Sequence, residues 1–313
     1  MRSDGAPVRI AGERAMLSVA TAAELRAELA RAREDARVLG GGRVAFVPTM
    51  GALHEGHLAL VDEARRRADV VVLSIFVNPL QFAPHEDLAR YPRDAAGDAA
   101  KARARGVDLL FVPSVAELYP REPRVRVVPG ALAERWEGAV RPGHFAGVLT
   151  VVAKLLHLVQ PEVAVFGQKD VQQATLVRAM VEDLDLPVEL VVAPTVRESD
   201  GLALSSRNVY LDGDARRRAR AIPGALAAIE RAFAAGERDA GALLARAREV
   251  LAREPAVSPD YLDVADPETL APVRAAERGT VAMLAARVGA TRLLDNAILG
   301  VSPPIAVAAE PGR

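Results

Sequence analysis

The run Val70-Val71-Val72-Leu73-Ser74-Ile75-Phe76-Val77 is apolar almost without interruption and largely β-branched, which marks a strand buried on both faces. Such a strand needs helices above and below it, so it belongs inside a parallel sheet. Further apolar runs at 43–47, 107–112, 162–166 and 188–192 are separated by helical patterns near 56–67, 94–105, 147–159 and 171–183. Strand and helix taking turns predict a doubly wound α/β fold. Ahead of the sheet, Thr21 is placed to cap a helix running from Ala22 into the arginine-rich stretch 31–37, which Gly40-Gly41-Gly42 ends. Residues 1–15 are expected to form a frayed extension.

Beyond residue 195 the texture changes to Ala- and Arg-rich helices at 212–235 and 239–252, followed by short strands at 260–265, 280–288 and 291–295. This predicts a smaller α+β domain, with residues 1–195 forming the larger domain, 196–313 the smaller, and the boundary between Pro194 and Asp200. A length of 313 residues suits two domains. A net charge of -1 supplies no general attraction to nucleic acid or anionic membrane, and aromatic residues at 4% offer few stacking platforms. Cysteine is absent, so neither a disulfide framework nor thiolate chemistry is available. No apolar stretch reaches bilayer-spanning length and no signal segment opens the chain, so a cytoplasmic enzyme with no membrane or nucleic-acid partner is expected.

In such sheets ligands bind beyond the carboxyl ends of the strands, and the unusual segments fall there repeatedly. Pro48-Thr49-Met50-Gly51-Ala52-Leu53-His54-Glu55-Gly56-His57 follows one strand and opens a helix. Its two histidines lie one turn apart, on one face, where backbone N–H groups are unpaired and the helix dipole is positive. An anion belongs there. Pro48 helps end the strand, and Gly51 and Gly56 remove side chains where a large ligand presses on the backbone. A zinc site would need a third ligand and an i,i+4 pair, so metal ligation is not the task of His54 and His57.

A second strand end carries Gly167-Gln168-Lys169-Asp170, and the chain's only lysines are Lys101, Lys154 and Lys169. Lys169 suits a phosphate oxygen as a compact point charge where arginine's wider fork would not fit. Ser205-Ser206-Arg207, after the turn at 198–201, offers two hydroxyls and a fork-shaped cation for a polyphosphate. Asn78 ends a strand with a neutral amide for a small polar substrate, and Arg141 and His144 add a cation and an imidazole before a helix. His85 reads as loop surface and His157 as part of a helix. These segments point to a phosphate-handling enzyme.

In order, PTMGALHEGH, SIFVNPLQF, RPGHFAGVLTVVAKL, FGQKDVQQ and DGLALSSRN resemble the pantoate–β-alanine ligase family of the H-x-G-H nucleotidyltransferases. The resemblance implies a Rossmann-like domain that binds ATP and pantoate, a smaller C-terminal lid domain, and a homodimer. It implies ATP-dependent joining of pantoate to β-alanine through a pantoyl adenylate, with release of AMP and pyrophosphate. On the matching positions, Pro48, Thr49, Met50, Gly51, His54, Gly56 and His57 would hold ATP, with His57 as proton donor. Gly167, Gln168, Lys169, Asp170, Val196, Leu204, Ser205, Ser206 and Arg207 would also contact the nucleotide. His54, His57, Lys169 and Arg207 would be the catalytic cations, and Gln81, Gln173, Asn78, Arg141 and His144 would serve pantoate and β-alanine. Mg²⁺ would be held mainly through the ATP phosphates, without a dedicated protein site. Leu204 stands where methionine is common and Gln168 where glutamate is common, departures that touch packing more than chemistry. H-x-G-H alone specifies only α-phosphate chemistry, so the alternative is another nucleotidyltransferase that activates a different small carboxylic acid.

Overall fold

The computed structural model describes residues 16–38, 40–84 and 86–306, so the extension at 1–15 and His85 lie outside the described residues. Among the described residues the chain packs as two units, one of residues 16–129, 141–166 and 176–193, the other of residues 130–140, 167–175 and 194–306. The sequence places 130–140 and 167–175 in the first domain; the second unit takes both segments.

The first unit is built on β1 (Leu17–Val19), α1 (Ala22–Val38), β2 (Val44–Thr49), α2 (Glu55–Arg67), β3 (Val70–Ile75), α3 (Ala95–Ala104), β4 (Leu109–Phe111) and α4 (Val115–Leu118). After α5 (Glu137–Val140), which packs in the second unit, come α6 (His144–Val159), β5 (Val163–Gly167), α7 (Val171–Asp183) and β6 (Glu189–Ala193). The strands form a sheet in the order β1-β4-β3-β2-β5-β6. Pairing is parallel for β1 with β4, β4 with β3, and β2 with both β3 and β5. From β2 the chain builds outward one way through β3 and β4 and the other way through β5 and β6. The topological switch point, where such sheets bind ligands, therefore lies at the carboxyl ends of β2 and β5.

The apolar run that predicts a doubly buried strand is β3, whose residues Val70 to Leu73 are at most 1% exposed. On one face of the sheet Ala45, Val47, Val71, Leu73, Leu110, Val163 and Val165 pack against Leu60, Val61 and Ala64 of α2 and Ala102 of α3. Two local features differ from the sequence expectation. The edge strand β1 falls within no expected strand, because three residues carry too little periodicity to announce it. β2 also continues through Pro48 to Thr49, since a proline at a strand's last turn gives up no ladder bond that the sheet needs.

The second unit contains α8 (Gly213–Ala219), α9 (Ala221–Ala234), α10 (Ala240–Leu251) and an antiparallel meander of β7 (Val257–Ala265), β8 (Val281–Val288) and β9 (Thr291–Ile298). Leu226, Ile229, Leu243 and Ala247 of the helices cover Val264, Ala282, Leu284 and Leu293 of the sheet. The helix expected over 212–235 is divided at Arg220. Pro223 supplies the reason, since it has no N–H to donate and its ring crowds the carbonyl four residues back at Ala219. Among the described residues no helix is long and apolar enough to cross a membrane.

Candidate active site

The turn after β2 places its histidines as the sequence indicates, with His54 as the N-cap of α2 and His57 one turn inside it. The two rings lie 4.1 Å apart between centroids. The His54 N–H donates to His57 Nδ1 over a long 3.4 Å, so Nδ1 is an acceptor and the ring bears its proton on Nε2. That atom is the one able to donate to an incoming oxyanion. Gly51 (φ +84°) and Ala52 (φ +51°) are both left-handed, and a Cβ on Gly51 would come within 2.9 Å of Ile75 Cγ2, so glycine is required there.

What holds this conformation comes from α3. Asp98, only 1% exposed, accepts the Ala52 N–H at 2.8 Å and the Leu53 N–H at 2.7 Å, one on each oxygen. Lys101, one turn later, donates to the Leu53 carbonyl at 2.7 Å. Asp98 carries no motif and is absent from the residues singled out by sequence. Its available signal is Lys101, a rare lysine in an arginine-rich chain and in i,i+3 relation to that carboxylate.

A second cluster follows β3. Asn78 caps the short turn Pro79–Gln81 by accepting the Leu80 N–H, and its Nδ2 donates to Gln81 Oε1 at 3.0 Å and to the Gly147 carbonyl at 3.1 Å. Gln81 Nε2 meets the thioether of Met50 at 3.2 Å. Gly147 is where α6 crosses this turn, and a Cβ there would lie 2.2 Å from the Leu80 carbonyl oxygen. Asn78, Gln81 and Met50 are thus brought together.

Arg141 and His144 belong to the same cluster, but both are committed to protein partners. The Arg141 guanidinium is bidentate on Glu86 at 2.6 and 2.9 Å, and its Nη1 donates to His144 Nε2 at 3.0 Å. An arginine cannot accept, so His144 Nε2 must, which leaves Nδ1–H to donate to the Gln81 carbonyl at 2.8 Å. Burial alone would raise the Glu86 carboxyl, yet the bonds and charge of Arg141 hold it below the usual carboxylate range. In this structure the polar groups of Arg141 and His144 face Glu86, one another and the Gln81 carbonyl.

In the second unit, Asn296 of β9 gives its amide hydrogens to the carbonyls of Gln168 and Lys169, at 2.9 and 2.8 Å, and accepts from Gln168 Nε2 at 3.0 Å. This fixes the turn Gln168–Asp170 at the start of α7 and leaves Lys169 paired only loosely with Asp170, at 3.7 Å. The neighbouring Asp295, 3% exposed, is held bidentately by Arg197 at 2.6 and 2.9 Å. Gln172 turns inward to the carbonyls of Leu132 and Arg135, while Gln173 is half-buried on the next face of the helix. Val196 and Leu204 lie opposite one another, joined by the Leu204 N–H to the Val196 carbonyl at 3.0 Å. Ser205 caps the turn Ser206–Tyr210, which carries Arg207. Asn208 ties that turn to Glu198 at 2.9 Å, and Arg216 holds Glu198 in turn at 2.7 and 2.9 Å. The hydrogen bonds from Arg216 keep Glu198 below the usual carboxylate range despite its partial burial. Among the described residues no group of three or more His, Cys, Asp or Glu is arranged to hold a metal.

Comparison with known proteins gives a consistent answer. A family model described as pantoate-beta-alanine ligase matches residues 18–298. The pantothenate synthetase of Acidobacterium capsulatum is 53% identical over 289 residues, covering 90% of this chain and 97% of that relative. The crystal structure of pantothenate synthetase from Thermus thermophilus is 50% identical with a TM-score of 0.85, over 92% of this chain and all of that one. The pantoate-beta-alanine ligase of Francisella tularensis, solved in complex with beta-gamma ATP and beta-alanine, is 31% identical with a TM-score of 0.74, over 91% of this chain and 98% of that one.

Proposed function

Because this chain belongs to the pantoate–β-alanine ligase family, we infer that it joins pantoate to β-alanine at the expense of ATP, forming pantothenate, AMP and pyrophosphate. The observation that carries the inference is the match over residues 18–298, which spans every motif that points to the family in the sequence. It disfavours the alternative of a different acid substrate.

The reaction has two displacements. A pantoate carboxylate oxygen attacks the α-phosphorus of ATP and the bond to the β-phosphate oxygen breaks, giving pantoyl adenylate and pyrophosphate. The neutral amine of β-alanine then attacks the acyl carbon, the carbon–oxygen bond to AMP breaks, and the nitrogen gives up one proton to the surrounding water as the amide forms. No protein nucleophile is needed. The barrier in the first step is charge crowding, which cations and N–H donors placed in advance lower. His57 Nε2–H, the N-terminus of α2 and His54 are suited to that task. Lys169, Ser205, Ser206 and Arg207 are proposed as further phosphate ligands, with Gly167, Asp170, Val196 and Leu204 lining the nucleotide and Gln81 and Gln173 binding pantoate.

For Gln168 the proposed nucleotide contact is confined to the backbone, because its side chain is engaged by Asn296. Asn78, Arg141 and His144 are proposed to support Gln81. The candidate phosphate ligands are imidazoles, hydroxyls and cations, a donor set that does not suit a Mg²⁺ cage of carboxylate oxygens. Mg²⁺ is accordingly proposed to arrive on the ATP phosphates, and no step is assigned to a protein-held ion. A homodimer in the cytoplasm completes the proposal. The deciding experiment is exchange of labelled pyrophosphate into ATP in the absence of any amine. Exchange that depends on pantoate is the expected result, and exchange driven better by another acid would sink the substrate assignment.

A further inference from the structure

Tyr119 follows the last residue of α4, and its ring is fixed from two sides. Phe76 meets it edge-on at 5.9 Å between centroids, and Lys154 Nζ lies 5.7 Å over its face. The helix itself is tied down by Glu117, whose carboxylate accepts the Ala22 N–H at 2.8 Å. So placed, the Tyr119 hydroxyl donates to Asn78 Oδ1 at 3.1 Å.

The polarity of everything beyond that bond can be worked out from groups that cannot change role. Asn78 Oδ1 also receives the Leu80 N–H, and Asn78 Nδ2 faces the Gly147 carbonyl, so a reversed amide would oppose donor to donor and acceptor to acceptor. With Nδ2 fixed as a donor, the Gln81 atom facing it must be the carbonyl oxygen. Gln81 Nε2 is then the amide atom turned away from Asn78, and its protein contact is the Met50 thioether, a weak acceptor that a carboxylate or hydroxyl oxygen readily displaces. The Leu80 bond is long, at 3.3 Å, so the Tyr119 hydroxyl is the nearer of the two donors on Oδ1.

We propose that Tyr119 is a positioning residue that locks the Asn78–Gln81 pair with the Gln81 N–H groups turned away from Asn78, and so gives the acid-binding position its preference for a hydrogen-bond-accepting substrate oxygen. The inference rests on the reading of Gln81 as a pantoate ligand. Burial pushes the Tyr119 hydroxyl up to about 12, with Arg126 pulling the other way, so it stays a donor throughout the neutral range.

The test is Tyr119→Phe in the full chain, which keeps the ring and its packing, alongside Gln81→Ala. Steady-state rates are measured with pantoate, ATP and β-alanine varied in turn, and thermal melting is followed for each variant. The expected result for Tyr119→Phe is a KM for pantoate raised about 3- to 10-fold, the worth of one neutral hydrogen bond, with kcat and the KM for ATP within about twofold of the parent. A pantoate KM unchanged in Tyr119→Phe but raised in Gln81→Ala overturns the proposal alone. Unchanged values in both variants overturn the role of Gln81 as well. A parallel rise in the KM for ATP, with a lowered melting temperature, would mark Tyr119 as a packing residue and equally overturn the proposal.

Discussion

After β2 the backbone turn at 51–53 is gripped by charged side chains, whereas after β5 the turn at 168–170 is gripped by a neutral amide. Asp98 and Lys101 take the N–H and the carbonyl of the same residue, Leu53, so that residue is oriented by a negative group at one end and a positive group at the other. Asn296 does the equivalent work with one side-chain amide on two successive carbonyls. The difference follows from what each turn has to present. The first offers N–H groups and imidazoles, and a buried carboxylate that spends each oxygen on a loop N–H costs that array little. The second offers the ammonium of Lys169, which a carboxylate in the place of Asn296 would neutralise. The carboxylate next to Asn296 in the chain, Asp295, is itself paired with Arg197.

The comparison can be broken at its functional groups first. His57→Ala and Lys169→Ala are each expected to lower turnover about 10²- to 10³-fold, if each stabilises charge in the transition state. Near-parental turnover in either variant removes that residue from the role. Asp98→Asn comes next, because the amide sets an N–H against a backbone N–H. We expect kcat/KM for ATP to fall about 10- to 50-fold and the melting temperature to drop, with the KM for pantoate little changed. ATP kinetics unaffected by this change would mean that the charged grip does not shape the turn.

Asn296→Ala leaves two carbonyls without their donor, and the expected effect is a rise of about 3- to 10-fold in the KM for ATP, with a smaller change in kcat. An equal or larger loss than for Asp98→Asn would reverse the ranking of charged over neutral grips. The smallest effect is on pH dependence. Glu86 and Glu198 both have folded pKa values below their unfolded ones, so their ion pairs stabilise the protein above the ordinary carboxylate range and lose that contribution as pH falls through it. Melting temperature should fall on acidification, and Glu86→Gln should flatten part of that fall. An unaltered slope would show that the Arg141 pair contributes nothing measurable.

Much of this is legible along the chain. β3, α2 and α7 follow from apolar periodicity and from turn residues that act over a few positions, and the two histidines follow from a motif only ten residues long. The helix expected at 171–183 is α7 at its observed bounds, Val171–Asp183. Less legible are features set by partners far apart in sequence. The division of the helix at Arg220 does have a local signal in Pro223, which the expectation of one helix over 212–235 leaves unweighed. The assignment of 130–140 and 167–175 to the second unit has no local signal, because it depends on Trp136 and Glu137 finding Leu270, Tyr261 and Arg292, and on Gln168 and Lys169 finding Asn296.

Arg141 and His144 show the limit most clearly. A cation and an imidazole before a helix look the same in sequence whether they face a ligand or, as here, Glu86 and the Gln81 carbonyl. The chain alone determined the central strands of its sheet, the order of its loops, the chemistry those loops bring and, through that, its family, since each of these is written in short-range pattern and residue type. Only the tertiary structure decided which polar groups present themselves and which are spent as support. Hydrogen-bond polarity is settled by partners such as Tyr119 and Asn78, 41 residues apart, or Asn296 and Lys169, 127 apart, and no local pattern encodes that choice.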